Sequence, residues 1–199
     1  MHKTILAALN EASSAIARLI ADEPTQIAIA NAGQLLAAAF QSHNRAFSCG
    51  NGGSMCDAMH FAEELSGRFR RDRPALAAVA ISDPSHITCT GNDYGFDQVF
   101  SRYVEAHGRA GDVLLAISTS GESKNVVMAA TRSRELGLKV IALTGKSRST
   151  LARMADVEIC TPGGAYADRV QELHIKVIHI LIELVERAMF PANYAHESA

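Results

Sequence analysis

The sequence contains few cysteines, and none of them lies at a spacing typical of a metal site. Cys49, Cys56, Cys89 and Cys160 are spread over 199 residues without a CxxC pair. No secretory signal precedes them, so we expect reduced thiols in a cytoplasmic protein.

An excess of positive charge and a long hydrophobic run are also absent. The chain has 19 Lys and Arg against 21 Asp and Glu, which gives no electrostatic reason to expect nucleic-acid binding. The most apolar segment, 175–185, contains His179 and Glu183 and is too short to span a bilayer. We therefore expect a soluble protein with neither nucleic-acid nor membrane partners.

Linkers, internal repeats and low-complexity segments are missing as well. Hydrophobic residues make up 48% of the chain and charged residues 20%, which excludes disordered and fibrous proteins. The length suits one well-buried α/β domain. We expect that domain at 1–190, with a helical hairpin at 1–42, an α/β core at 43–190 and a frayed tail at 191–199.

Short apolar runs alternate with helical segments along the chain. Apolar residues recur at helical spacing on both sides of the break at Asp22-Glu23-Pro24, which predicts a hairpin that packs on the core or forms a subunit interface. Predicted strands at 45–49, 77–81, 113–117, 139–143 and 156–160 alternate with predicted helices at 55–69, 97–107, 125–136 and 168–190. A polar turn at 82–85 and a loop at 91–95 are predicted between them. The alternation predicts a parallel sheet covered on both faces.

A hydroxyl-rich turn, Ser118–Ser123, joins the central strand to its helix. Backbone N–H groups at a helix start are unpaired, and the helix dipole favours an anion there. An ordinary helix cap is the alternative, because Ser and Thr cap helices routinely. Four hydroxyls around one glycine favour a phosphate cradle made of Ser118, Thr119, Ser120 and Ser123.

A glycine-rich turn, Gly50–Ser54, lies between the first strand and its helix. Glycines allow a ligand to approach the backbone closely, although such a turn alone is weak support for a site. The position favours one, because open α/β sheets bind ligands where strands end.

Three polar residues follow at intervals of four: His60, Glu64 and Arg68. This spacing puts them on one helix face. The row is either an active-site wall or a solvated salt bridge beside a structural histidine. The basic turn 68–74 is predicted to be mostly solvated surface, with Arg68 as the exception.

The last helix is apolar on nearly every side, which is typical of a helix buried in a core or an oligomer. Gln171 and His179 fall on one of its apolar stripes. Buried polar groups need partners, so His179 is either a functional group or a core histidine bonded to backbone.

These segments together resemble one known family. Cys49–Ser54, His60–Glu64, Gly91–Gly95, Ser118–Ser123 and Arg169–Glu172 with His179 are similar to the phosphoheptose isomerases, which belong to the sugar isomerase (SIS) domain proteins. The serine loop identifies only the SIS class, whereas the joint occurrence of His60, Glu64, Gln171 and His179 is specific to the isomerases.

The resemblance implies a three-layer α/β/α sandwich whose five parallel strands follow the flavodoxin-like order. It also implies a homotetramer with active sites at subunit interfaces. The implied reaction interconverts D-sedoheptulose 7-phosphate and D-glycero-D-manno-heptose 7-phosphate, the first step towards lipopolysaccharide heptose.

The resemblance also assigns residues. Glu64 and His179 match the acid–base pair, and one Zn²⁺ per subunit is implied at His60, Glu64, Gln171 and His179, without a nucleotide cofactor. The positions that match substrate contacts are Asn51, Gly52, Gly53, Ser54, Glu64, Arg68, Asn92, Asp93, Ser118, Thr119, Ser120, Ser123, Asp168 and Gln171.

The residue chemistry agrees with an isomerase. Moving a proton between adjacent carbons through an enediol needs one base and one acid, and a carboxylate with a neutral imidazole supplies both. A metal or Arg68 could stabilise the enediolate oxygens. Without a metal, Gln171 would hold a substrate hydroxyl and His179 would act as the base.

The sequence departs from the family pattern at one position, and two other functions are alternatives to the isomerase. Glu122 stands where the family has Asn or Lys, and its carboxylate would weaken phosphate binding if it pointed inwards. A non-catalytic SIS paralogue that binds a replication-initiator protein would lack the Glu–His pair, which this chain keeps. A sugar-phosphate-sensing regulator would need a DNA-binding segment, and neither a helix-turn-helix signal nor a basic segment is present.

Overall fold

A computed structural model describes residues 1–164 and 166–196. Its five strands are β1 (Ala46–Cys49), β2 (Ala78–Ala80), β3 (Val113–Ser118), β4 (Lys139–Thr144) and β5 (Val157–Cys160). All neighbouring strands are parallel, in the order β2-β1-β3-β4-β5. The predicted strands and the flavodoxin-like order are confirmed.

Helices cover both faces of this sheet. They are α1 (His2–Ala21), α2 (Glu23–Gln41), α3 (Gly53–Ser66), α4 (Pro84–Tyr94), α5 (Val99–His107), α6 (Lys124–Glu135), α7 (Thr150–Met154) and α8 (Ala167–Met189). Short 3₁₀ turns lie at Phe96–Gln98 and Pro191–Tyr194.

Two apolar cores fill the spaces between the sheet and the helices on its two faces. Alternate residues of a strand point to opposite faces, so Leu115 and Ile117 of β3 pack with α2, α3 and α8, whereas Leu114 and Ala116 pack with α5 and α6. The predicted α/β/α sandwich is confirmed.

The N-terminal hairpin is confirmed too. The carboxylate of Asp22 caps α2 by accepting a hydrogen bond from the Thr25 N–H at 3.2 Å. Helix α1 packs through Ala15 and Leu19 and exposes an apolar row that includes Ile5 and Leu9. By length and composition alone α1 is apolar enough to cross a membrane, a property that we did not expect from the sequence.

Helix α4 corrects the prediction of a turn at 82–85 and a loop at 91–95. Asp83 caps this helix by accepting a hydrogen bond from the His86 N–H at 2.8 Å, Pro84 occupies its first turn, and Gly95, with φ of 89°, ends it. The polar composition of the segment hid a helix that its terminal residues specify. The short α7 was not predicted either.

The predicted frayed tail is wrong for residues 191–194. These residues form a 3₁₀ turn, and Tyr194 is buried with its hydroxyl donating to Glu186. Packing on α8 holds the turn in place. Residues 197–199 lie outside the described part of the chain.

Candidate active site

The loops that follow β1 and β3 meet at the carboxyl edge of the sheet. Helices α3 and α6 leave these neighbouring strands on opposite faces, which makes this edge the switch point where open α/β sheets bind ligands. The side chains of Asn51 and Asn125 exchange two hydrogen bonds, of 2.9 and 2.8 Å, across the gap. The sequence did not single out Asn125, which joins the two loops into one wall.

The serine loop after β3 is held by its own hydroxyls. Ser118 Oγ lies 3.0 Å from Ser123 Oγ and 3.4 Å from Ser120 Oγ, and it accepts a hydrogen bond from the Gly121 N–H. Ser123 occupies the N-cap position of α6, but its side chain makes no capping hydrogen bond. Its hydroxyl therefore faces the loop, which favours an anion cradle over an ordinary cap.

Glu122 points away from this cradle. Its carboxylate accepts a hydrogen bond of 2.8 Å from the Thr150 N–H at the start of α7, and hydrogen bonding to Thr150 lowers the Glu122 pKa. An acidic side chain at a helix start is favourable. This departure from the family therefore does not place a charge against the serines.

Beside the cradle lies a cavity of about 210 Å³. Thr119, Ser120, Lys146 and Val170 are among its lining residues. Lys146 adds a cation close to the hydroxyls, a residue that the sequence analysis missed because its loop carries no motif.

Helices α3 and α8 bring three of the predicted groups together. His60 Nε2 lies 3.0 Å from His179 Nε2 and 3.4 Å from a carboxylate oxygen of Glu64. Glu63 reaches the other ring nitrogen of His60, Nδ1, at 3.7 Å. His60, Glu64 and His179 therefore form one cluster, although residues 60 and 179 are 119 positions apart.

The environment shifts the pKa of two of these groups. Burial, and then the neighbouring charge of Glu63, raise the pKa of Glu64, whose side chain is 18% exposed. Burial, and then the proximity of His60, lower the pKa of His179. Burial thus favours the neutral form of both His179 and Glu64.

His179 is not the core histidine of α8. That position belongs to His174, which is fully buried and whose pKa burial lowers to about 4. The ring of Phe69 stacks on His179 with centroids 5.9 Å apart. Phe69 fixes the plane of the imidazole, and the sequence analysis missed it because it lies beyond the helical row.

Two predictions about the basic turn are wrong. Helix α3 ends at Ser66, so Arg68 leaves the face of His60 and Glu64 and is exposed. The buried arginine is Arg73, whose side chain is 1% exposed. The break at Gly67 redirects the chain, which helical spacing alone does not reveal.

Gln171 contacts the start of α3. A Cβ placed on Gly53 would lie 2.6 Å from Gln171 Oε1, so the amide rests where Gly53 has no side chain. Gly53 precedes His60 by seven positions. Gly52, with φ of 56°, turns the chain into the helix. Ser54 is buried, and a Cβ on Gly50 would lie 2.7 Å from the Cβ of Ser54.

The other predicted contacts are exposed within one chain. Asn92 donates a 2.7 Å hydrogen bond to Asp93 at the end of α4, and the Asp168 side chain, in the first turn of α8, is 64% exposed. Among the described residues, the structure records no contact between the histidine cluster and Asn92, Asp93, Asp168 or Arg68.

The histidine cluster suits a metal ion by its donor spacing. Ligands about 2.0–2.1 Å from a tetrahedral Zn²⁺ lie roughly 3.3 Å apart, close to the 3.0 Å from His60 Nε2 to His179 Nε2 and the 3.4 Å from the same His60 atom to Glu64. Two imidazoles and a carboxylate are ordinary zinc ligands. Among the described residues, the donors that all lie within 4.8 Å of one another belong to His60, Glu63 and Glu64. His179 is not in that group and joins it through its contact with His60.

Comparisons with known proteins identify the family of this chain. A family model described as "SIS domain" matches residues 8–145. A curated phosphoheptose isomerase from Edwardsiella ictaluri is 59% identical over 181 residues, which cover 91% of this chain and 94% of that protein. The phosphoheptose isomerase structure from Neisseria gonorrhoeae has a TM-score of 0.83 and 41% identity, and covers 93% of this chain and 98% of its own. The phosphoheptose isomerase structure from Francisella tularensis has a TM-score of 0.86 and 35% identity. The match covers 93% of this chain and 97% of that one. The chain therefore belongs to the SIS domain family and, within it, to the phosphoheptose isomerases.

Proposed function

We propose that the chain is an aldose–ketose isomerase that interconverts D-sedoheptulose 7-phosphate and D-glycero-D-manno-heptose 7-phosphate. The carrying observation is the contact of His60 with both His179 and Glu64, on the helix that begins at the glycine-rich turn beside the serine loop. An acid–base pair and an anion site are the two elements that this reaction needs. As an isomerase, the chain would catalyse the first step towards lipopolysaccharide heptose.

The cradle holds the phosphate, and the cluster acts on the distant carbonyl end of the sugar. Hydroxyls of Ser118, Ser120 and Ser123, together with N–H groups at the start of α6, surround the phosphate oxygens. Glu64 and His179 exchange the proton between the two adjacent carbons and their oxygens through the enediol. Without a bound metal, Gln171 of α8, which lies against the start of α3, would orient a sugar hydroxyl.

His60, Glu64 and His179 would hold a divalent ion, most simply Zn²⁺, with Gln171 as a fourth, amide ligand. When bound, such an ion would supply positive charge near the sugar oxygens that gain negative charge in the reaction. His60 keeps its second nitrogen near Glu63, at 3.7 Å, which orients the ring. Burial of His179 favours the neutral imidazole, the form in which this ring binds a metal or accepts a proton.

The proposed assembly is a homotetramer in the cytoplasm. Arg68, Asn92, Asp93 and Asp168 are exposed in one chain, as substrate contacts completed by a neighbouring subunit would be. The apolar row on α1 is a surface for such contacts.

The test is incubation with D-sedoheptulose 7-phosphate, with the product analysed by NMR. We expect the aldose 7-phosphate from the wild type and a kcat about 100-fold lower or more for Glu64→Gln. Glu135→Gln, at the end of α6 where its carboxylate pairs with Arg132, is the control and should keep most of the activity. Equal losses in both variants would contradict the role of Glu64, and an inactive wild type would contradict the isomerase.

Metal content is tested separately on protein purified without an affinity tag. We expect bound zinc in the wild type, less in His60→Ala, and an unchanged amount in His86→Ala, which lies outside the cluster. Chelation should abolish turnover and zinc should restore it. Full turnover without detectable metal would leave the metal-free arrangement, in which His179 is the base.

The non-catalytic alternative has no support. The relatives in question are named as isomerases, and the Glu64–His179 pair is present.

A further inference from the structure

Arg73 forms a buried ion pair that the isomerase mechanism does not use. Its Nε donates to Glu186 Oε1 at 2.8 Å, and both side chains are 1% exposed. A buried ion pair often adds little stability compared with apolar side chains of the same size. Its presence here therefore calls for a role besides stability.

The remaining donors of Arg73 bind the end of α3. Nη2 donates to the backbone carbonyl of Glu64 at 2.7 Å, and Nη1 donates to those of Leu65 at 2.7 Å and Gly67 at 3.1 Å. Carbonyls in the last turn of a helix have no partners within the helix, and a cation there is favoured by the dipole. One guanidinium thus holds the turn that carries the Glu64 carboxylate.

The C-terminal turn completes this arrangement. The Tyr194 hydroxyl donates to Glu186 Oε2 at 2.6 Å, so both oxygens of this carboxylate are bonded. Asn193 donates to the backbone carbonyl of Asp72, next to Arg73, at 3.1 Å. The turn therefore covers the ion pair and keeps water from it.

We propose that Arg73 is a positioning residue for Glu64, fixed in turn by Glu186 and Tyr194. The inference rests on the proposed isomerase function for its catalytic consequence. Without the guanidinium, the carbonyls of Glu64 and Gly67 lose their Arg73 donor, whereas that of Leu65 keeps the Leu76 N–H at 3.0 Å, so the backbone at Glu64 is free to shift. A displacement of about 1 Å at a reacting group can lower the rate about 100-fold.

The test compares Arg73→Lys with Arg45→Lys. Arg45 is a matched control because it also joins a carboxylate, Asp112, to the carbonyl that ends a helix, His107, but at the amino edge of the sheet. We expect Arg73→Lys to lower kcat about 10- to 100-fold with KM changed less than about 3-fold. The isotope effect of substrate deuterated at the transferred hydrogen should rise, because proton transfer becomes slower.

Amide hydrogen exchange gives a readout that does not need turnover. Exchange in the peptide covering 61–68 should become faster in Arg73→Lys, whereas that of 53–59 should not change. Tyr194→Phe, which keeps the ion pair, should show the same pattern more weakly and remains testable if Arg73→Lys does not fold.

The outcomes separate this proposal from the isomerase. If the wild type does not turn over the sugar phosphate, the proposed function fails, and the exchange data alone decide the role of Arg73. Wild-type kcat in a folded Arg73→Lys, unchanged exchange at 61–68, or an equal loss of kcat in Arg45→Lys would each overturn the positioning role.

Discussion

Replacing Gly53 by alanine tests the place of Gln171 directly. An added Cβ would lie 2.6 Å from Oε1, 2.7 Å from Nε2 and 2.8 Å from Cδ of Gln171. Carbon contacts are favourable at about 3.5–4.0 Å, so the amide must retreat by roughly 1 Å. The backbone itself accepts alanine, because Gly53 is not among the residues with positive φ.

The two expected effects have opposite signs. Replacing glycine by alanine at a compatible position stabilises a protein by about 0.4–1 kcal/mol, because it lowers the conformational entropy of the unfolded chain. The free energy of unfolding should therefore stay level or rise slightly. If Gln171 makes one neutral hydrogen bond to the substrate, its loss lowers kcat/KM by about 2- to 12-fold, from roughly 0.5–1.5 kcal/mol. A loss of activity without a loss of stability is the expected signature.

A double-mutant cycle with Gln171→Ala isolates the contact. In the Gln171→Ala background the Gly53→Ala change should have no further effect on kcat/KM. Gly91→Ala is the control, because the nearest atom to its added Cβ is 3.9 Å away, on Val99, so it should stabilise α4 without changing turnover. Additive losses in the cycle, or unchanged activity in Gly53→Ala, would refute the assignment.

Four further predictions concern single residues. Ser120→Ala should raise KM about 10- to 150-fold, from the roughly 1.5–3 kcal/mol of a charged hydrogen bond, and should weaken competition by inorganic phosphate; an unchanged KM places the phosphate elsewhere. Glu122→Gln should leave KM within about 2-fold, because its carboxylate binds Thr150 instead of the cradle. His179→Ala should lower kcat about 100-fold or more while phosphate still inhibits. Burial lowers the His174 pKa from its ordinary value of 6.5 to about 4. As the pH falls, His174 is therefore protonated in the unfolded chain before it is protonated in the folded one. Urea unfolding should therefore show the wild type losing stability from pH 6.5 to 4, by up to about 1.4 kcal/mol per unit, and His174→Leu should lack that part of the slope.

The parts of the site that the sequence predicts are local. A strand, a turn rich in glycine or hydroxyls and a helix follow one another in Gly50–Ser54 and again in Ser118–Ser123. Hydrophobic periodicity and turn chemistry act over a few residues, so they are legible without the fold. Helix α4 is not legible in this way, because its apolar pattern is weak and its capping residue, Asp83, is equally typical of a turn.

Contacts between distant segments needed the tertiary structure. The meeting of His60 with His179, across 119 positions, and of Asn51 with Asn125, across 74, depends on how α3, α6 and α8 cross the sheet. Whether Arg68 or Arg73 became the buried cation depended on where α3 ends and on Glu186, 113 positions away. The amino-acid sequence by itself determined which residue types stand at the ends of the strands. Only the packing of helices decided which of these side chains share one space, because burial and long-range contacts are properties of the whole fold and not of any short segment.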